Sequence, residues 1–169
     1  MIYNGHYQHN TSIEGLYLFH LFDKGLQSIL LSPSLFIENS FKTKLAYLMG
    51  EHFGVFEDEY LNESHYVLQK NSLKFVDLKK DIKHRLKKLP NDATKYYQNN
   101  HNHLPPWIAL KNISFADSLN LFTLIRDSRL KGQIVDAMLP PTPKFDFGLR
   151  LNFLIRSLHL YHYRSHGSR

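Results

Sequence analysis

Leu35-Phe36-Ile37-Glu38-Asn39-Ser40-Phe41-Lys42-Thr43-Lys44-Leu45-Ala46-Tyr47-Leu48-Met49-Gly50-Glu51-His52-Phe53 carries a single pattern. Ile37, Phe41, Leu45, Leu48 and Met49 return at steps of four, four, three and one. That spacing lines one side of an α-helix, whereas a strand would alternate its side chains every second residue. Glu38 and Lys42, one turn apart, read as ordinary surface support. Gly54 is the expected C-cap, because a residue without Cβ turns left-handed at little cost.

Upstream, Ser32-Pro33-Ser34 reads as a turn or kink, with Pro33 in the first turn of the second helix. Before it, Thr11 and Glu14 form a capping box that opens a first helix from about Ser12 to Leu31. Leu16, Phe19, Phe22, Leu26, Ile29 and Leu30 give that helix a broad apolar face, and Gly25 is its weak point. Residues 1–10 read as an irregular lead-in containing His6 and His9, too loose a pair for a metal site.

Downstream, Glu57-Asp58-Glu59 reads as a solvated loop or short helix rather than a metal site. A third helix is expected from about Ser72 to Leu89, ended by Pro90. Leu73, Val76, Leu78, Ile82, Leu86 and Leu89 are its apolar residues, and Lys79, Lys80, Lys83, His84, Arg85, Lys87 and Lys88 make it the densest positive run. Such a run is either a solvated face or a rail for a phosphate backbone. Residues 91–106 read as a polar connector, in which His101 and His103 have no evident partner ligand. Trp107 starts a short apolar helix. Ser114 or Asp117 opens the next, with Leu119, Phe122, Leu124 and Ile125 inside, and another covers Leu130 to Leu139. Pro140-Pro141-Thr142-Pro143 is a stiff linker to a last helix from about Phe145 to Arg169. The expectation is an all-α bundle of four main helices with short helices inserted, forming one domain over residues 11–169.

The chain has 169 residues, of which 43% are hydrophobic and 21% charged, enough for one domain with a real core. It has no cysteine, which excludes disulfides and thiolate zinc sites and fits a reducing cytoplasm. No apolar run reaches the roughly 18 residues that a membrane span needs, so no membrane partner is expected. A net charge of +6 suits a polyanionic partner.

The chemistry-bearing end is Arg156-Ser157-Leu158-His159-Leu160-Tyr161-His162-Tyr163-Arg164-Ser165-His166-Gly167-Ser168-Arg169. Phe147, Leu151, Leu154 and Leu158 form its apolar seam. On a helical wheel His159, His162 and His166 fall within roughly 60° of one another, flanked by Arg156 and Arg169. Imidazoles exchange protons near neutral pH and guanidiniums neutralise phosphates, as a metal-free nuclease requires. A solvated helix end, favoured by cations at the C-terminal dipole, has the same composition.

Three stretches together resemble a family. They are Phe22 to Leu30, Leu35 to Tyr47, and Asn102-His103-Leu104-Pro105-Pro106-Trp107-Ile108 with Lys111 to Phe115. They look like the bacterial Abi-like, or abortive-infection, proteins of phage defence, within the HEPN superfamily of helical ribonucleases. The resemblance implies a HEPN-like helical bundle, a toxin-like role, and RNA cleavage by general acid/base chemistry without cofactor or metal. It further implies a homodimer through the last helix, across Leu151, Leu154 and Leu158, and control by an antitoxin of protein or RNA. The family signature is arginine, usually followed by asparagine, then histidine about five positions on. Here Arg156-Ser157 to His162 keeps the spacing with serine for asparagine. Counting back from His166-Gly167-Ser168-Arg169 instead meets Tyr161. The resemblance thus names Arg156 and His162 as catalytic, with His166 as the rival histidine. RNA contacts are expected at Lys79, Lys80, Lys83, Arg85, Lys87, Arg164 and Arg169. The other reading is a binding module of the same family that has lost turnover.

Overall fold

In the computed structural model, Ile13–Phe53 forms one helix of 41 residues, α1, where the sequence suggests two helices parted at Ser32-Pro33-Ser34. Pro33 lies inside α1 and cannot give the Ile29 carbonyl its helical donor. The hydroxyl of Ser34 donates to the Leu30 carbonyl in the same turn. The structure describes residues 2–3, 6–7, 12–70, 73–88, 92–139, 146, 148–154 and 156–157. It divides into two compact units, Met1–Glu38 and Asn39–Arg169.

The first unit holds a minimal antiparallel pairing of β1 (Ile2–Tyr3) with β2 (His6–Tyr7), inside the segment expected to be irregular, and the first part of α1. The N-cap is Ser12, whose Oγ accepts from the Gly15 N–H at 3.0 Å. Thr11, the expected cap, lies outside the described residues. The expected apolar face is exposed: Phe19, Phe22, Leu26, Ile29 and Leu30 all face solvent. Among its described residues the unit has no second helix against which they could pack.

The second unit is an all-α bundle. Phe41, Leu45, Leu48 and Met49 of α1 are buried in its core, as their spacing requires. Phe41 meets the rings of Phe115 and Phe122 edge-on at 5.8 and 5.5 Å. Gly54 ends α1 with φ +101, and a Cβ there would run into the Glu59 side chain. α2 (Glu57–Tyr60) buries Tyr60, and Glu59 turns back to accept the Phe56 N–H. A 3-10 turn at Glu63–His65 follows. β3 (Gln69–Lys70) pairs antiparallel with β4 (Leu73–Lys74), so Leu73 belongs to a strand and α3 begins at Phe75 instead of Ser72. The backbone N–H of Phe75 reaches back to the Leu68 carbonyl and fixes that start.

α3 (Phe75–Lys88) buries Phe75, Leu78, Ile82 and Leu86 and packs on the two helices later in the chain, α5 (Pro106–Asn112) and α6 (Phe115–Leu124). The expected polar connector is largely a helix, α4 (Asp92–His101). It is anchored by Thr94, fully buried, whose Oγ1 accepts from Asn112 of α5 at 2.7 Å. Asn102, at φ 55, turns the chain out of it. Leu104, Pro105 and Pro106 are buried and lead into α5. Ser114, not Asp117, caps α6, which buries Leu119, Phe122 and Leu124, with Ile125 buried just beyond its end. α7 (Ser128–Met138) is capped by Asp127. In the last helix, 148–154 and 156–157 are described as helical. The proline linker at 140–143 lies outside the described residues. No helix among the described residues is long and apolar enough to cross a membrane.

Candidate functional site

The last helix is fastened to α7 by Arg150. One guanidinium nitrogen lies 2.6 Å from an Asp136 carboxylate oxygen and 2.6 Å from the Leu139 carbonyl. Its Nε is buried with no hydrogen-bond partner among the described residues. Asp146 supplies the cap, accepting from the Leu149 N–H at 2.7 Å. Leu154 is buried in this chain's own core, and Leu151 is partly so. Half of the expected seam is therefore covered within the chain; Phe147 and Leu158 lie outside the described residues.

Arg156 is helical and exposed. Leu149, Phe153 and Arg156 are spaced four and three apart, so they share one helix face, and both apolar members are exposed, by 56% and 63%. No ion pair of Arg156 is found among the described residues. His162, His166, Arg164 and Arg169 lie outside the described residues.

On α3 the expected basic residues part company. Lys79, Lys83 and Lys87 recur every fourth residue and form one row, with exposed Lys80 beside it. Lys83 stands 3.6 Å from the Asp58 carboxylate, an open pair that salt screens. Arg85 projects from the other flank, with its Nε 3.3 Å from Asp117 on α6. That carboxylate is nearly covered and also accepts from the Ser114 hydroxyl at 2.7 Å. Arg85 thus neutralises a carboxylate inside the fold, and a phosphate would have to compete for it. α3 packs on α5 and α6, whereas the last helix is fastened to α7, so the lysine row and Arg156 sit on separate elements.

Among the described residues no cluster of histidine and carboxylate ligands could hold a metal. The His101 and His103 rings lie 6.1 Å apart, and the Nδ1 of His103 is already 2.9 Å from the His101 carbonyl.

Two features leave no mark in the sequence. The Arg150–Asp136 clamp joins residues fourteen apart with no local pattern to mark it. Lys131 in α7 donates to the Thr123 carbonyl at 2.9 Å; burial, and then the charge of Lys70, push its amine down to about 8. Desolvation by residues far along the chain cannot be read from spacing.

The sequence profile described as Abi-like protein matches residues 3–164. No curated protein and no solved structure matches the chain.

Proposed function

The chain belongs to the Abi-like protein family, whose role is abortive-infection defence, and from that premise we propose that it is a metal-independent endoribonuclease of HEPN type. The observation that carries the proposal is the exposed face of Leu149, Phe153 and Arg156 on the last helix. Two such faces brought together about a two-fold axis would set two Arg156 guanidiniums at one groove. The family match includes Arg156 and His162 and stops short of His166, which favours His162 as the proton carrier.

In this scheme the 2′-hydroxyl attacks the adjacent phosphorus and the bond to the 5′-oxygen breaks. A 2′,3′-cyclic phosphate and a 5′-hydroxyl result. His162 takes the 2′-hydroxyl proton or delivers one to the leaving oxygen. Arg156 holds the charge that builds on the phosphoryl oxygens. The row of Lys79, Lys80, Lys83 and Lys87 would track the RNA backbone, with Arg164 and Arg169 as further contacts.

Purified protein should cut single-stranded RNA in the presence of EDTA, and both Arg156→Ala and His162→Ala should reduce cutting at least about a hundredfold. Retained cutting in His162→Ala with loss in His166→Ala would transfer the role to His166. RNA bound but left intact by the unaltered protein would favour a binding module without turnover, the reading that serine at position 157 supports.

A further inference from the structure

A cavity of about 320 Å³ opens where the end of α1, the 3-10 turn and the start of α7 meet. His52, Phe53, Ser64, His65, Arg126 and Asp127 line it. Its walls are pinned from several directions. The His52 Nε2 lies 3.0 Å from the Gln133 amide oxygen. The His65 ring stacks on Phe53, with centroids 4.2 Å apart and planes 12° from parallel. Arg126 donates from its backbone to the His65 carbonyl at 2.9 Å and from one guanidinium nitrogen to the Tyr66 carbonyl at 3.1 Å. These bonds fix its base and leave the remaining N–H groups for a ligand.

The charge balance favours an anion. Arg126 makes none of the described ion pairs. The Asp127 carboxylate is the one acidic group in the wall, and its Oδ1 accepts the backbone N–H groups of Arg129 and Leu130 at 2.7 and 3.3 Å. Two histidines, an arginine and Ser64 therefore line a common space with that single carboxylate. Planar guanidinium and imidazole donors suit phosphate oxygens. The volume lies at the lower end of the roughly 300–1,000 Å³ typical of small-molecule sites, more room than the anion alone needs. The flat Phe53–His65 stack offers a surface for a ribose or base.

We propose that this cavity binds the phosphate of a nucleoside monophosphate, either free or as the end of an RNA strand. It stands at the N-terminal end of α7, while Arg150 clamps the last helix at the other end, roughly 16 Å away by helical rise. The inference therefore holds whether or not Arg156 takes part in cleavage.

The test uses the full chain with adenosine 5′-monophosphate, followed by calorimetry and by the ring resonances of His52 and His65. The nucleotide should bind and shift both rings, and adenosine should do neither. Arg126→Lys and His52→Gln should each weaken binding by about tenfold or more, with both variants still folded by circular dichroism at the temperature of the titration. A hexaribonucleotide with a 5′-phosphate binding more tightly than its 5′-hydroxyl twin identifies a strand end as the source, and equal binding of the twins beside a bound free nucleotide identifies the latter. Equal affinity for adenosine and the nucleotide, unaltered affinity in both variants, or inorganic phosphate binding as tightly as the nucleotide would each overturn the proposal.

Discussion

Tyr66 donates from its phenol to the Tyr60 carbonyl at 2.6 Å, and Tyr60 donates from its own to the Leu104 carbonyl at 2.8 Å, both within the core. Tyr66→Phe would keep the ring against Phe75 but leave a buried carbonyl unpaired, so it should lower unfolding free energy by about 1–3 kcal/mol in a denaturant titration. Burial raises both phenols well above their usual value near 10, helped at Tyr60 by Glu57. Their contribution is therefore complete below pH 10 and is lost as pH climbs beyond it. Lys131 has the opposite sense. Its folded value of about 8 lies below the ordinary 10.5, so the unfolded chain holds more protons between those values and stability from this group rises with pH across that window. An acylating reagent at pH 8 should modify Lys131 ahead of the open lysines of α3. Uniform labelling of all lysines would refute that ordering. Neither group is visible as special in the sequence, because desolvation comes from residues far along the chain.

Helix identity was legible wherever an element buries a wide stripe. α3, α6 and α7 lie where apolar spacing places them, within a few residues at their ends. α4 was hidden because it buries only Thr94 fully and Tyr97 in part, so its pattern is polar almost throughout. The first turn expected for α3 was lost to the β3–β4 pairing, a contact with residues before it that helical periodicity does not register. Gly54 was legible for a local reason, since the conformation belongs to glycine itself. Gly54→Ala should cost about 1–3 kcal/mol, from the positive φ and from displacing Glu59, whose carboxylate accepts the Phe56 N–H at 3.1 Å. A melting temperature equal to that of the parent would count against this. Of the candidate site, the lysine row of α3 was legible because its spacing is local. The engagement of Arg85 was not, because Asp117 lies on another helix.

At the scale of the molecule, the sequence treats the two halves of α1 alike, and the structure does not. Both carry apolar residues at helical spacing, yet the buried ones, Phe41, Leu45, Ala46, Leu48 and Met49, lie in the second half. Periodicity reports that a face is apolar; whether anything covers it depends on the rest of the assembly. Phe41→Ala should cost about 3–5 kcal/mol in unfolding of the second unit, since it removes two ring contacts and opens a void. Phe22→Asp should leave that transition within about 0.5 kcal/mol of the parent, as expected of an exposed position.

Pro33 has its own consequence for the long helix. It deletes one rung of the hydrogen-bond ladder, and the Ser34 hydroxyl bonds the next carbonyl along. Local opening begins where the fewest bonds must break. In deuterium oxide, the amides on either side of Pro33 should therefore exchange before those near Leu45 and Met49, and Pro33→Ala should slow them. The isotope would thus mark a seam in the middle of α1 that its unbroken outline conceals.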